Sequence, residues 1–354
     1  SEFSKDENGI EFAGAMSNGR KFKSVLRLQT QGGKVLPDAG KSGVREDVSR
    51  RNKATKPYDS IMLDGCDSVT VYIAGDTNYT LDASKNHAGI DPAAKIAPRI
   101  AHIKAMTFVQ MRNQSAADVT RLFDRCAFDL ATSNPEAEAM PTNKRRLAYN
   151  SDTTDAGFET LIFDANRYMM IASSRPGSLP ANLQGLWNYS NWPAWTSDYH
   201  TDINVQMNYW FVEPANLAEC AEPLFDYIES QRPHWREDAK QVFGADTRGW
   251  TVMYMNNIDG GGAYKNFPPG SAWLAWHYAE HFKFNQDKDY LANRAYPVLK
   301  ELSEHWEDLL VARPNGELTT PRTMCPEHKP QQYGISQDVQ IAHDLFTNYM
   351  AAAN

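Results

Sequence analysis

Tryptophan is missing from the first 186 residues: all nine fall between Trp187 and Trp306, so an indole-free front is followed by a Trp-rich back. Cysteine is scarce. Cys66, Cys126, Cys220 and Cys325 form no CxxC pair or zinc-type cluster, and they read as buried thiols rather than a disulfide framework. No run is apolar enough to span a bilayer. The chain has no GxSxG elbow, no Walker loop and no Rossmann fingerprint, and Gly260-Gly261-Gly262 lies in a polar loop, Asn256 to Asn266, without the strand-to-helix context of a phosphate cradle. Basic excess is also lacking. With 36 Lys+Arg against 44 Asp+Glu the net charge is -8, which argues against a general binder of nucleic acid or of membrane surfaces. The first residues, Ser1 to Asp6, show no signal-peptide pattern, and Asn8 to Phe12 is at once a strand piece. The sequence is expected to be an internal fragment.

At 354 residues two domains are expected, each able to bury a core. Residues 9 to 84 read as β, in short alternating runs separated by Gly-Gly, Pro-Asp and Asp-Gly turn signals, with Pro37 to Pro57 a polar, basic loop. A helix is expected from Ile96 to Leu122, with Ser115-Ala-Ala-Asp118 resembling a capping box. Helical periodicity returns from Phe158 to Ala172 and stops for an irregular stretch, Ser173 to Asn188. Later helices are predicted over 217–243, 271–284, 294–312 and 336–353, Pro223 and Pro233 being able to break the first. Strands followed by helices predict two domains of different class, and antiparallel helix pairs fit an α/α toroid.

The densest polar pattern is Asp198 to Trp210. Asp198, His200, Asp202, Asn204, Gln206 and Asn208 alternate with apolar or aromatic residues and Thr201, so an extended backbone would place the polar groups on one face. Such a face could grip a polyhydroxylated ligand through both donors and acceptors, or be a half-exposed edge strand. Glu327 sits in Met324-Cys-Pro-Glu-His-Lys-Pro330, where flanking prolines hold the backbone extended and apolar neighbours raise a carboxyl toward a general acid; a lone loop Glu is equally an ordinary surface residue. His277-Tyr-Ala-Glu-His281 matches a short H-x-x-E-H zinc pattern on an aromatic-rich helix, against which stands a pair of satisfied helix histidines.

Several ordered blocks together resemble glycoside hydrolase family 95, the inverting α-L-fucosidases: Ser173 to Asn188, His200 to Trp210, Glu213 to Glu219, Leu122 to Arg125, Gly270 to Leu274 with His281, and Cys325-Pro-Glu-His328 ahead of Asp338 and Gln340. The resemblance implies a partial N-terminal β-sandwich over residues 1–85, a helical linker over 86–150, and over 151–354 the first part of an all-α (α/α)6 toroid. It implies a glycosidase releasing terminal α-L-fucose with inversion, with Glu327 as general acid and Asp202 and Asn204 positioning the water. His200 would line the pocket around the C5 substituent, Trp273 would wall it, and Trp187 and His328 would join the substrate-binding set. Asp202 stands where the family pattern has Asn, so it is either a direct base or the mark of a different substrate or degenerate site. A distant aspartate of the family falls beyond Asn354.

No metal or organic cofactor is expected, nor a nucleic-acid or membrane partner. The expected partners are a fucosylated oligosaccharide or polysaccharide and the missing C-terminal part of the same protein. A periplasmic or secreted location follows from that substrate class. A non-catalytic carbohydrate-binding remnant and an α-L-galactosidase of the same family are the alternatives, and zinc hydrolysis through His277 and His281 is a third.

Overall fold

A computed structural model describes residues 2–41, 43–46, 55–58, 60–131, 134–190, 192–326, 328 and 330–354. It divides into two compact units, Ser1–Ala117 with Tyr189–Thr196, and Asp118–Asn188 with Ser197–Asn354. A strand-rich N-terminal part is followed by a helical C-terminal part.

In the first unit β1 (Glu2–Asp6), β2 (Gly9–Ala15), β3 (Lys21–Gln31) and, after β4 (Lys34–Leu36), β5 (Gly43–Glu46), β6 (Thr55–Tyr58) and β7 (Met62–Asp64), β8 (Ser68–Thr77) supply the strands. The main sheet has the order β1-β2-β3-β8, antiparallel throughout. The basic stretch read as a loop from Pro37 to Pro57 instead contains a 3-10 turn at Pro37–Ala39 and the paired strands β5 and β6; Arg50, Arg51 and Lys53 lie outside the described residues. One face of the main sheet is covered by α1 (Pro92–Lys104): Ile96 and Ile100 pack on Val25 and Tyr72. Pro92 opens this helix with a φ already suited to it, and the Asp91 carboxylate accepts a hydrogen bond from the Ala93 N–H. Asp76 at the end of β8 pairs with Lys95 and Arg99 on the same helix.

The single helix expected from Ile96 to Leu122 is two, α1 and α2 (Phe108–Phe123), broken at residues 105–107. Thr107 explains the break. Its hydroxyl accepts from the Gln110 N–H while the Gln110 side chain accepts from the Thr107 N–H, so the capping box is here and not at Ser115, which lies inside α2.

The second unit holds α3 (Pro135–Glu138), α4 (Thr142–Tyr149), α5 (Ala156–Ser173), β9 (Tyr199–His200), α6 (Asn204–Trp210), α7 (Glu222–Phe243), β10 (Met253–Asn256), β11 (Gly262–Asn266), α8 (Pro268–Asn285), α9 (Lys288–Tyr290), α10 (Tyr296–Leu309), β12 (Val311–Ala312), β13 (Leu318–Thr319) and α11 (Ser336–Ala353). A π-helical turn, Leu291–Ala295, joins α9 to α10. Neither proline breaks α7: Pro223 sits in its first turn, where no N–H is needed, and Pro233 is carried inside. The core is indole-rich, with Trp235, Trp250 and Trp306 buried and the first two stacked at 5.3 Å. Arg167 of α5 is wholly buried. Its guanidinium donates to the carbonyls of Phe123, Cys126, Leu122 and Ala215, binding α5 to the end of α2 and to the turn after α6. Helices α8, α10 and α11 pack against one another, and α6 packs on α8.

Candidate active site

The stretch from Asp198 to Trp210 is not the extended strand its alternation suggests. Only Tyr199 and His200 are extended, pairing with Asn256 and Met255 of β10; the chain then turns, and α6 begins at Asn204. Thr201 sets the turn. Its N–H donates to the Tyr254 carbonyl (2.9 Å), its hydroxyl to the Met253 carbonyl (2.6 Å), and its own carbonyl accepts from Gln206 (2.8 Å). Asn256 donates to the Thr201 hydroxyl as well, so this buried threonine is fully engaged. A period of two therefore loses to a network that buries Gln206 and turns Asn208 toward the Asn182 carbonyl. The N-terminus of α8 closes over the turn because Gly270 lacks a side chain: a Cβ there would stand 2.7 Å from the Thr201 carbonyl oxygen.

This turn carries Asp202 and, two residues on, Asn204, both half-buried. His200, just before it, is also half-buried, and its Nδ1 is hydrogen-bonded to the Asp198 carboxylate. That bond fixes the ring and leaves Nε2 as the free edge.

Tyr254, in the centre of β10, connects the turn to the segment holding the Cys-Pro-Glu-His motif. Its backbone carbonyl takes the Thr201 N–H, and its buried hydroxyl donates to the Met324 carbonyl at 3.0 Å. Burial and then the Asp202 and Asp338 charges push the phenol well above its ordinary range, so the hydroxyl keeps its proton and remains a donor. Beyond Met324 the Cys325 thiol reaches Gln337 at 3.7 Å, and the His328 N–H returns to the Cys325 carbonyl at 2.9 Å. Glu327 lies outside the described residues; His328 is exposed.

Asp338, in the first turn of α11, was assigned no role from the sequence. It is wholly buried, one oxygen accepts from the Thr323 hydroxyl, and burial pushes its carboxyl up to about 6. Thr323 also pairs with Gln332 through both backbone groups, so Asp338 clamps the base of the loop. Its sequence signal was weak: an acidic residue near a helix N-terminus ordinarily reads as a dipole partner.

The remaining candidates lie in other surroundings. Trp273 stands edge-on to Trp210 at 5.9 Å, in an aromatic cluster with Trp276 around the C-terminal end of α6. Trp187 lines a cavity of about 600 Å³ between α5, α6 and the 181–187 loop, together with Met169, Asn182, Met207 and Asn208. Gly185 (φ +66) lets that indole close on the loop, since a Cβ would meet its ring at 2.7 Å. The two histidines of the H-x-x-E-H pattern are separately engaged: His281 Nδ1 bonds Glu213 at 2.6 Å, and His277 is buried edge-on to Tyr209 and Trp276, where burial pushes its imidazole down to about 3. Among the described residues no group of three or more His, Cys, Asp or Glu is arranged to hold a metal ion.

Residues 107–354 match the glycosyl hydrolase family 95 catalytic domain. The chain is 33% identical over 324 residues to "Probable alpha-fucosidase A" of Aspergillus niger, covering 83% of this chain and 40% of that protein. It is 29% identical over 359 residues to "Alpha-L-fucosidase 2" of Arabidopsis thaliana, covering 95% of this chain and 40% of that one. The chain thus spans about 40% of the length of these curated relatives. A solved structure titled "Putative kojibiose phosphorylase from human microbiome" superposes with a TM-score of 0.60 at 12% identity, over 99% of this chain and 42% of that one, a likeness of fold alone. With a catalytic-domain match over most of its length, the chain belongs to glycosyl hydrolase family 95.

Proposed function

We propose that this chain forms part of an exo-acting α-L-fucosidase that hydrolyses a terminal fucosyl linkage with inversion. Support comes from the names of its relatives and from one residue, Tyr254, whose backbone carbonyl takes the Thr201 N–H of the Asp202 turn and whose hydroxyl donates to the carbonyl of Met324, just ahead of Cys325. The helical part would belong to an (α/α)6 toroid, with residues 1–85 from a β-sandwich and 86–150 as the linker.

In this reading the Glu327 carboxyl gives its proton to the glycosidic oxygen as the bond from C1 to that oxygen breaks. Water held by Asn204 and Asp202 attacks C1 from the opposite face and loses a proton to the Asp202 carboxylate. The products are β-L-fucose and the free hydroxyl of the leaving sugar. Such a pair needs roughly 6.5–9.5 Å between its carboxyls to admit the water. His200, with Nδ1 held by Asp198, contributes its Nε2 edge to the fucose pocket, and His328, Trp273 and Trp187 contribute to substrate binding.

The test is fucose release from an α-1,2-fucosylated oligosaccharide, followed by proton NMR so that the first anomer formed is seen. We expect β-L-fucose first, and a fall of about 10²–10⁴-fold in Glu327→Gln. Initial appearance of the α-anomer, or equal rates in the two proteins, would overturn the mechanism. Faster release from an α-L-galactoside would move the substrate to L-galactose.

A further inference from the structure

The hairpin beside Asp202 contains a defect in its pairing. Met253 of β10 opposes Asn266 and Met255 opposes Ala263, so two residues of β11, Tyr264 and Lys265, face the single residue Tyr254. This is a β-bulge, and Tyr264 adopts φ +81, a left-handed conformation that a bulky side chain rarely takes. Bulges re-aim side chains, and strained residues persist only where the surroundings over-determine them. Here the aromatic ring is turned outward: Tyr264 is 68% exposed, with its ring edge-on to Tyr254 at 5.5 Å. Tyr254 is the residue that touches both the Asp202 turn and the loop before Glu327. An exposed ring therefore stands against the residue whose backbone meets one half of the candidate site and whose hydroxyl meets the other.

We propose that Tyr264 is the stacking platform of a leaving-group subsite, on which the sugar that bears the fucosyl residue lies while the bond is cut. The inference rests on the proposed glycosidase reading for its placement, and its chemistry is the ring's own. The apolar C–H face of a pyranose matches an exposed aromatic face, whereas a single exposed ring offers nothing to select an anionic or peptide ligand. A ring kept only to cover Tyr254 would be expected to lie against it and be buried. This one is mostly in solvent.

Two measurements test it, made in the longest natural polypeptide that carries this sequence. The first compares kcat/KM for an α-1,2-fucosylated oligosaccharide with that for α-L-fucosyl fluoride, whose leaving group has no ring to stack. Tyr264→Ala should lower the first by about tenfold or more, chiefly through KM, and leave the second within about twofold. Tyr264→Phe, which keeps the ring, should match the wild type on both. Equal losses on both substrates would make Tyr264 a structural support of Tyr254 and overturn the inference, as would an unchanged oligosaccharide rate. The second measurement is NMR titration with the defucosylated oligosaccharide, which needs no turnover. Binding weakened by about tenfold in Tyr264→Ala supports the subsite even if no fucose is released, in which case only the fucosidase reading fails. Equal binding by the two proteins overturns the subsite.

Discussion

Replacing Asp338 by Asn should make the protein more stable at pH 8 and leave it unchanged at pH 4. The side chain is wholly buried, one oxygen accepts from Thr323, and the other has no hydrogen-bond partner among the described residues. Burial outweighs that hydrogen bond and raises the carboxyl from its ordinary 3.8 to about 6. A raised acid binds its proton more tightly folded than unfolded, so its cost to stability is absent below about pH 4. That cost grows between about pH 4 and 6 and is complete above. A shift of two units corresponds to roughly 3 kcal/mol. Asn has the same shape, keeps an acceptor for Thr323 and never ionises, so that amount should return at pH 8. For a unit of this size that means a Tm higher by about 6–10 °C. Thermal scans of both proteins from pH 4 to 8 read the difference directly. A Tm offset that is the same at every pH would refute the reasoning, because it would mean that Asp338 does not titrate in this window.

Gly270→Ala should cost about 1–3 kcal/mol in chemical denaturation and reduce activity, because the new methyl would press on the Thr201 carbonyl at 2.7 Å and on the Phe267 ring at 2.8 Å. Arg167→Met should cost 3 kcal/mol or more, at the upper end for a single change, through loss of the buried donors to the carbonyls of Leu122, Phe123, Cys126 and Ala215; urea unfolding checks it. Asp198→Ala should lower kcat/KM for the fucoside by about tenfold, and Asp198→Asn by less, since an amide oxygen can still accept from His200 Nδ1. Equal losses in those two variants would show that the charge of Asp198, rather than the orientation of His200, is what counts.

Residue order alone determined the β front, the helical back and the family. Strand alternation, Asp91-Pro92 ahead of α1 and the aromatic run of α8 are local signals, and local backbone and capping physics obeyed them. The blocks 173–188, 200–210 and 325–328 carry the resemblance to the family, and a resemblance resides in residue identity before any folding. Tertiary contacts decided the rest. The polar alternation from Asp198 to Asn208 has a strand's period, yet Thr201 finds its partners on β10 and across the turn, so Gln206 and Asn208 leave the face that carries Asp202. Trp187 lines a cavity with Asn182 and Asn208, and Trp273 stands edge-on to Trp210, neighbours that the order of residues does not announce. The contacts of Tyr254, the burial of Asp338 and the bulge at Tyr264 came only with folding. Their roles arise from burial, from a ladder register and from neighbours more than fifty residues away, none of which has a local signature.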